Sequence, residues 1–348
     1  MAQLIAKIAD RKPDVAALID ERGATTWAEA NARTNRLISG LRAAGLADGD
    51  TLAVMSGNRR ELFETTFAYT HAGWLGVPVN WHWTPEELAY VVNDSGACAL
   101  IVEDQFLDVA VAAQPAFEDC PVLVVVGEPD EVPPGFVPYA SMLVSGSPEE
   151  PRARSSGGPM FYTSGTTGFP KGVRSGLSTV GADPALLELI SASFVGLLSL
   201  PADGVTLLEG PAYHSAQWVF SMFPLIGAAS TLVMRHRFDP TETLELIDAH
   251  GVTNTHLVPT QFVRLLDLPE EVRASYDMSS LRNMVHGAAP CPHEVKRKMI
   301  EWWGDTIQEY YAATEGGGTV ITAAQWMERP GSVGVAWPGT EIRIYDDE

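Results

Sequence analysis

Between Tyr162 and Gly172 the chain reads Tyr-Thr-Ser-Gly-Thr-Thr-Gly-Phe-Pro-Lys-Gly. Four Ser and Thr side chains, three glycines and a lysine fall within eleven positions. Glycines let backbone N–H groups converge on an anion, and hydroxyls and an ammonium add donors and charge. The chemistry suits a polyphosphate held by Thr163, Ser164, Gly165, Thr166, Thr167, Gly168 and Lys171. It is not the P-loop of kinases and GTPases, because glycine rather than Ser or Thr follows Lys171. A mobile surface loop is the bland alternative, but such loops rarely combine these residue types in this order.

Three later segments carry further chemistry. Pro211-Ala212-Tyr213-His214-Ser215 holds a histidine; a lone histidine is more often structural, so its weight comes from its company. His286 is followed by Gly287-Ala288-Ala289-Pro290, where small side chains let a flat ring approach the backbone closely. Tyr310-Tyr311-Ala312-Ala313-Thr314-Glu315 offers an aromatic plane, a hydroxyl and a carboxylate, the last a hard oxygen ligand of the kind magnesium needs beside phosphate.

In this order the segments resemble the motifs of the adenylate-forming superfamily: acyl-CoA synthetases, aryl-CoA ligases, firefly luciferase and the adenylation domains of peptide synthetases. The likeness is to the N-terminal domain of a fatty-acid–CoA ligase and covers nearly the whole chain. It implies an ATP-dependent enzyme that makes an acyl-AMP and passes the acyl group to coenzyme A. The 162–172 loop would embrace the β- and γ-phosphates of ATP. His214 would border the carboxylate and the acyl pocket, and Gly287 to Pro290 would face the adenine. Tyr311 would stack on the base, Thr314 would contact phosphate and Glu315 would hold Mg2+, so that His214, Thr314 and Glu315 form the catalytic set. Ala312 stands where the family has glycine, which adds a methyl near the nucleotide.

The family's later T-G-D segment, hinge and catalytic lysine are not found after Gly339-Thr340-Glu341. The chain stops within what reads as the start of a β-rich element, and a shortened form with weak or no activity by itself is expected. Amino-acid-activating relatives place an aspartate near the histidine segment. Here Tyr213 to Trp218 contains no acid, and an unpaired ammonium in a buried pocket is costly. The expected substrate is therefore a plain carboxylic acid, a fatty acid first and an aryl acid as its rival. Trp218, Phe220, Met222, Val258 and Phe262 are candidates to line its pocket or simply to fill the core. Two further readings stay open: a non-catalytic nucleotide-binding adaptor, and an oxygenase working on the same adenylate.

The elements that must position these residues alternate helix and strand. Thr26-Trp27-Ala28-Glu29 is a capping box, and Trp27, Ala30, Thr34, Leu37 and Leu41 follow at helical spacing. Thr51–Met55, Gly76–Trp81, Ala99–Val102 and Val122–Val126 read as strands, with helices over Glu61–Ala72 and from Thr84-Pro85 onward. Trp81-His82-Trp83 reads as an amphipathic strand end. After a Pro/Gly/Ser-rich linker over 127–158, strands recur near 159–163, 205–209, 230–234, 253–258, 282–285 and 307–310. This rhythm predicts an α/β fold of two packed αβ subdomains with largely parallel sheets. They would span 1–158 and 159–330, with residues 331–348 opening a third, β-rich subdomain and the family's small C-terminal domain absent.

Composition narrows the partners. Acidic residues outnumber basic ones 44 to 23 among 348, a net charge of -21, which argues against nucleic acid. Cys98, Cys120 and Cys291 are scattered and odd in number, so neither a disulfide framework nor a metal knuckle is expected. A reducing, cytoplasmic setting fits. No segment approaches the roughly 20 apolar residues of a membrane span; peripheral membrane contact stays open, though nothing signals it. The expected partners are a carboxylic acid, ATP and coenzyme A.

Overall fold

Helix starts are set by local chemistry. The Thr26 and Thr84 hydroxyls accept hydrogen bonds from the amides of Glu29 and Glu87, whose carboxylates reach back to the cap amides. The helices Trp27–Ala43 and Pro85–Ser95 therefore begin where the capping boxes put them. The structure, a computed structural model, describes residues 2–151, 156–163, 168–176, 180–314 and 316–345.

The strands in chain order are β1 (Ala16–Asp20), β2 (Gly23–Thr26), β3 (Thr51–Met55), β4 (Leu75–Pro78), β5 (Ala97–Glu103), β6 (Val122–Val126), β7 (Phe136–Pro138), β8 (Gly158–Pro159), β9 (Phe161–Thr163), β10 (Lys171–Val173), β11 (Val205–Leu208), β12 (Thr231–Met234), β13 (Asn254–Leu257), β14 (Asn283–His286), β15 (Ile307–Ala312), β16 (Gly318–Thr322) and β17 (Val335–Ala336). Six of them, in the order β7-β6-β5-β3-β4-β8, form an all-parallel sheet. Nine form a second sheet, β17-β16-β15-β14-β13-β11-β12-β1-β2, parallel from β15 to β1 and antiparallel at its edges. β9 and β10 make a separate antiparallel hairpin.

One core joins the inner faces of both sheets. Leu52 and Val54 of the first sheet and Leu208 and Leu232 of the second share it with Trp27, Phe63, Tyr69, Trp218 and Met222 from the helices between. Two further cores lie outside the sheets, one under the helices Pro85–Ser95 and Leu107–Ala113, the other under Pro240–His250, Pro259–Leu266 and His293–Trp303. The layers run helix, sheet, helix, sheet, helix. Each fully buried large side chain adds about 2–3 kcal/mol of transfer free energy, so the shared core holds the two sheets as one body.

The α/β architecture with largely parallel sheets matches the expectation, and several details differ from it. β1 and β2 come from the first 26 residues but complete the second sheet, β1 lying parallel to β12, so the expected division at residue 158 follows the chain and not the sheets. The 127–158 linker contains β7 and the helix Tyr139–Ser145. β17 adds to the second sheet instead of opening a new one. Trp81-His82-Trp83 lies beyond β4 in a turn, because the Asn80 side chain accepts from the His82 amide and its carbonyl accepts from the Trp83 amide. No helix among the described residues is long and apolar enough to cross a membrane.

Candidate functional site

Each sheet has one strand at which the winding reverses. From β3 the chain steps to β4 on one side and then to β5 on the other; from β11 it steps to β12 and then to β13. Ligands in parallel α/β sheets settle beyond the C-terminal ends of such strands. Asn58, just past β3, is 1% exposed and spans the two places. Its Nδ2 donates to the carbonyls of Gly210 (2.8 Å) and Arg235 (3.0 Å), and its Oδ1 accepts from the Ala212 amide (3.0 Å). Trp81 closes the same junction. Its ring stacks on Phe106 and His236 at 5.7 and 5.2 Å, and meets the Tyr213 ring edge-on at 4.9 Å. Four loops, one behind each of β4, β5, β11 and β12, thus converge on one aromatic cluster.

The expected phosphate segment is the hairpin β9–β10. Thr163 and Lys171 are register partners at the end that carries the connecting loop, so Lys171 lies on a strand facing Thr163 and is exposed. Sequence reading placed this loop at the end of a strand of the main sheet; the hairpin instead docks on the helix Pro85–Ser95. Tyr162 Oη donates to Asp94 (2.6 Å), and Phe169 stacks on Tyr90 at 4.5 Å. Gly168 has φ +144°, a conformation glycine adopts without strain. Ser164, Gly165, Thr166 and Thr167, with the carboxylate expected to hold metal, Glu315, lie outside the described residues.

The remaining expected residues gather behind β11, β14 and β15. His214 caps the helix Ser215–Gly227 and lies against Tyr213 with ring centroids 4.4 Å apart. Although it keeps open surface, partial desolvation, and then the charge of His82, hold its pKa below the ordinary value. Next to it, Ser215 Oγ lies 3.3 Å from Thr314 Oγ1, which joins the histidine segment to the end of the Tyr310–Glu315 segment. Gly287, Ala288, Ala289 and Pro290 form the turn leaving β14. A Cβ at Gly287 would collide with the Tyr310 ring, so only glycine fits there. Ala288 holds φ +64°, a strained position for alanine and of a kind concentrated at functional sites. Tyr311 leaves β15 with 65% of its surface exposed, a ring with an open face. Ala312 sits beside it, paired with Gly318.

Sequence reading missed the polar groups beneath these motifs. Gln217 Nε2 lies 2.9 Å from His256 Nδ1, and His256 Nε2 lies 3.2 Å from Tyr310 Oη. Burial lowers the pKa of His256 to about 3 and raises the Tyr310 phenol. Glu209, just after β11, is 2% exposed. Burial raises its pKa to about 8 against the opposing hydrogen bonds from Thr243. Of the five candidate pocket residues, four are core. Trp218 donates to Tyr69 Oη (2.9 Å), Met222 packs in the shared core, Phe262 lies under the outer helices, and Phe220 stacks on His256 at 4.6 Å. Val258, which caps the helix Pro259–Leu266, alone keeps open surface.

The chain matches the family model described as AMP-binding enzyme over residues 5–348. It is 29% identical over 337 residues to a long-chain-fatty-acid–CoA ligase of Thermus thermophilus, covering 93% of this chain and 60% of that protein. It is 30% identical over 329 residues to an indoleacetate–CoA ligase of Aromatoleum aromaticum, covering 93% and 62%. The solved structure of the anthranilate CoA ligase AuaEII with anthranoyl-AMP superposes with a TM-score of 0.87 at 20% identity, over 99% of this chain and 66% of that one. The chain thus spans about six-tenths of the length of these curated relatives.

Proposed function

This chain belongs to the AMP-binding enzyme family, and from that premise we propose that it binds ATP and a carboxylic acid, forms the acyl-adenylate, and serves transfer of the acyl group to coenzyme A. The observation that carries this reading is the 3.3 Å approach of Ser215 to Thr314, which brings the histidine segment and the nucleotide segment to one place beyond the switch strands.

In this reading Thr163, Ser164, Gly165, Thr166, Thr167, Gly168 and Lys171 hold the outer phosphates. Gly287, Ala288, Ala289 and Pro290 offer a close backbone to the adenine, while Tyr311 and Ala312 cover its face. The acid's carboxylate attacks the α-phosphorus in line and pyrophosphate leaves. Catalysis is then mainly alignment and charge neutralisation, with His214 bordering the carboxylate and Thr314 on the phosphate. Mg2+ bound with the triphosphate supplies positive charge. Glu315 would be its protein ligand, and one carboxylate is enough for a cation that keeps water and phosphate oxygens as its other ligands. Among the described residues no group of three or more metal-ligating side chains offers a rival metal site.

Along the chain, residues 159–330 are proposed to carry the nucleotide and acyl motifs, after a first αβ region 1–158 that lends β1 and β2 to the same sheet, with 331–348 following and adding β17 to its edge. A fatty acid is the preferred acid, supported by the relative named a long-chain-fatty-acid–CoA ligase. An aryl acid is the second reading, supported by the relative named an indoleacetate–CoA ligase. Three unpaired thiols support a reducing, cytoplasmic setting.

Calorimetric titration of the chain with octanoyl- and benzoyl-sulfamoyl adenosine and with AMP tests the proposal. One acyl form is expected to bind more tightly than AMP and so to indicate the acid. Tyr311→Ala is expected to weaken all three by about tenfold or more, because stacking on a base is worth about 1–3 kcal/mol. A chain that binds none of them has no working nucleotide site, and the proposal fails; one that binds AMP at least as tightly as either acyl form is the nucleotide-binding adaptor of the alternative reading.

A further inference from the structure

Beneath the 287–290 turn lies a charged group that none of the motifs contains. Lys296, on the helix His293–Trp303, is 1% exposed, and its Nζ pairs with the Glu309 carboxylate on β15. His286, the last residue of β14, is wholly buried beside them. Its Nε2 lies 3.9 Å from Glu309 Oε2, and neither ring nitrogen has a hydrogen-bond partner among the described residues. His286 and Glu309 are register partners on neighbouring parallel strands. The Lys296 ammonium also lies 4.8 Å over the Trp326 ring, on the helix Ala323–Glu328 that follows β16. One ammonium therefore fixes β15 and two helices to each other.

Stability alone does not account for the pair. Removing an ammonium and a carboxylate from water costs about what their attraction returns, and apolar residues of similar volume often serve as well or better. The surroundings would accept them, since Phe262, Met299, Trp303 and Ile307 fill the same core. What an ion pair adds over methionine and leucine is direction, and here the direction bears on one place. The 287–290 turn leaves β14 directly after His286. Its far end runs through Cys291, whose thiol is pushed up to about 11 by burial and then by Glu309, into the helix that carries Lys296. Tyr311 stands two residues beyond Glu309 on the same face of β15. Both proposed contacts to the base therefore spring from backbone that this pair holds.

We infer that Lys296 and Glu309 are positioning residues for the adenosine half of the site: too deeply buried to touch ligand, they set the spacing between the 287–290 turn and the Tyr311 ring. The inference rests on the nucleotide reading above. A shift of the turn or the ring by a fraction of an ångström loosens a flat ligand held between them, as a poorly supported contact shell does elsewhere.

The test is the affinity for AMP and for octanoyl-sulfamoyl adenosine, by calorimetry, together with the melting temperature. The proteins are the wild type, Glu309→Gln, and Lys296→Met combined with Glu309→Gln. Glu309→Gln keeps the size of the side chain and an acceptor for Lys296, and is expected to fold and to bind both ligands about tenfold more weakly. The double variant leaves no buried charge and is expected to regain the wild-type melting temperature while keeping the weakened affinity. A purely structural pair would instead let both quantities recover together. Affinities within twofold of wild type in both variants overturn the inference alone. A wild-type chain that binds neither ligand overturns the nucleotide reading, and the inference with it.

Discussion

Asn58→Ala is expected to lower the free energy of unfolding by about 3 kcal/mol and to weaken adenylate binding at the same time. The one amide serves three backbone groups across the junction: the carbonyls of Gly210 and Arg235 and the amide of Ala212. Truncation strands all three where Asn58 itself is 1% exposed, and an unmade buried hydrogen bond costs about 1–3 kcal/mol. The segment released is the one that leads into His214 and Ser215, so the Ser215–Thr314 approach should loosen as well. Asn58→Asp separates hydrogen bonding from packing. It keeps the shape but sets a carboxylate oxygen against two carbonyls, and should be at least as harmful as alanine. Urea unfolding and titration with octanoyl-sulfamoyl adenosine measure both effects. A loss below 1 kcal/mol for alanine with unchanged affinity would show that the core, and not this amide, aligns the two sheets.

What the sequence revealed was what is local. The capping box at Thr26 depends on residues three apart and forms as read, and the helix read from Thr84-Pro85 starts there, with a second capping box that the structure adds. The parallel strands were visible because buried strands are short apolar runs between helices, as at Val122–Val126. The site motifs were visible for the same reason: each proposed contact set is a run of consecutive residues. What escaped was whatever pairs across distance. β1 finds β12 more than 200 residues later, and nothing in Ala-Ala-Leu-Ile-Asp announces that partner. Trp81 read as a strand end because Phe106, Tyr213 and His236, which make it a junction, come from three other loops. Asn58 carried a faint signal, a polar residue just past a buried strand in a parallel sheet, where ligands and loop contacts gather. Glu309 carried another, a carboxylate inside a strand with buried neighbours. Neither names its partner without the fold, and the same holds for the apolar residues taken for pocket wall, since alternation shows burial but not what lies opposite.

The stability of this protein is expected to peak near pH 6.5 and to fall on both sides, more steeply in acid. Three deeply buried groups dominate the shape, and Glu150, held down to about 2 against the opposing effect of burial by hydrogen bonds from His71, Asn35 and Asn31, adds a smaller, solvent-screened loss below pH 4.5. His256 and His286 titrate at about 3 in the fold against an ordinary 6.5, both chiefly through burial, with the charge of Lys296 adding to the effect at His286. Glu209 titrates at about 8 against an ordinary 4.5, again through burial. Between pH 8 and 4.5 the folded chain holds a proton on Glu209 that the unfolded chain has released, so acidification stabilises by about 1.4 kcal/mol per unit. Between pH 6.5 and 3 the unfolded chain protonates both histidines while the fold keeps them neutral, so acidification destabilises by about 2.7 kcal/mol per unit for the two. The sum is a gain from pH 8 to 6.5, a net loss of about 1.4 kcal/mol per unit down to 4.5, and the full 2.7 below that. From pH 6.5 to 3.5 the loss reaches about 5 kcal/mol, as much as the whole stability of a marginal domain. Glu209→Gln should flatten the alkaline arm. His286→Met, which removes a ring without hydrogen-bond partners among the described residues, should halve the slope below pH 4.5. Urea midpoints followed by circular dichroism from pH 8.5 to 3.5 read both arms. If the Gln variant still gains stability from pH 8 to 6.5, and the Met variant still falls as steeply as wild type in acid, these three groups do not govern the pH response.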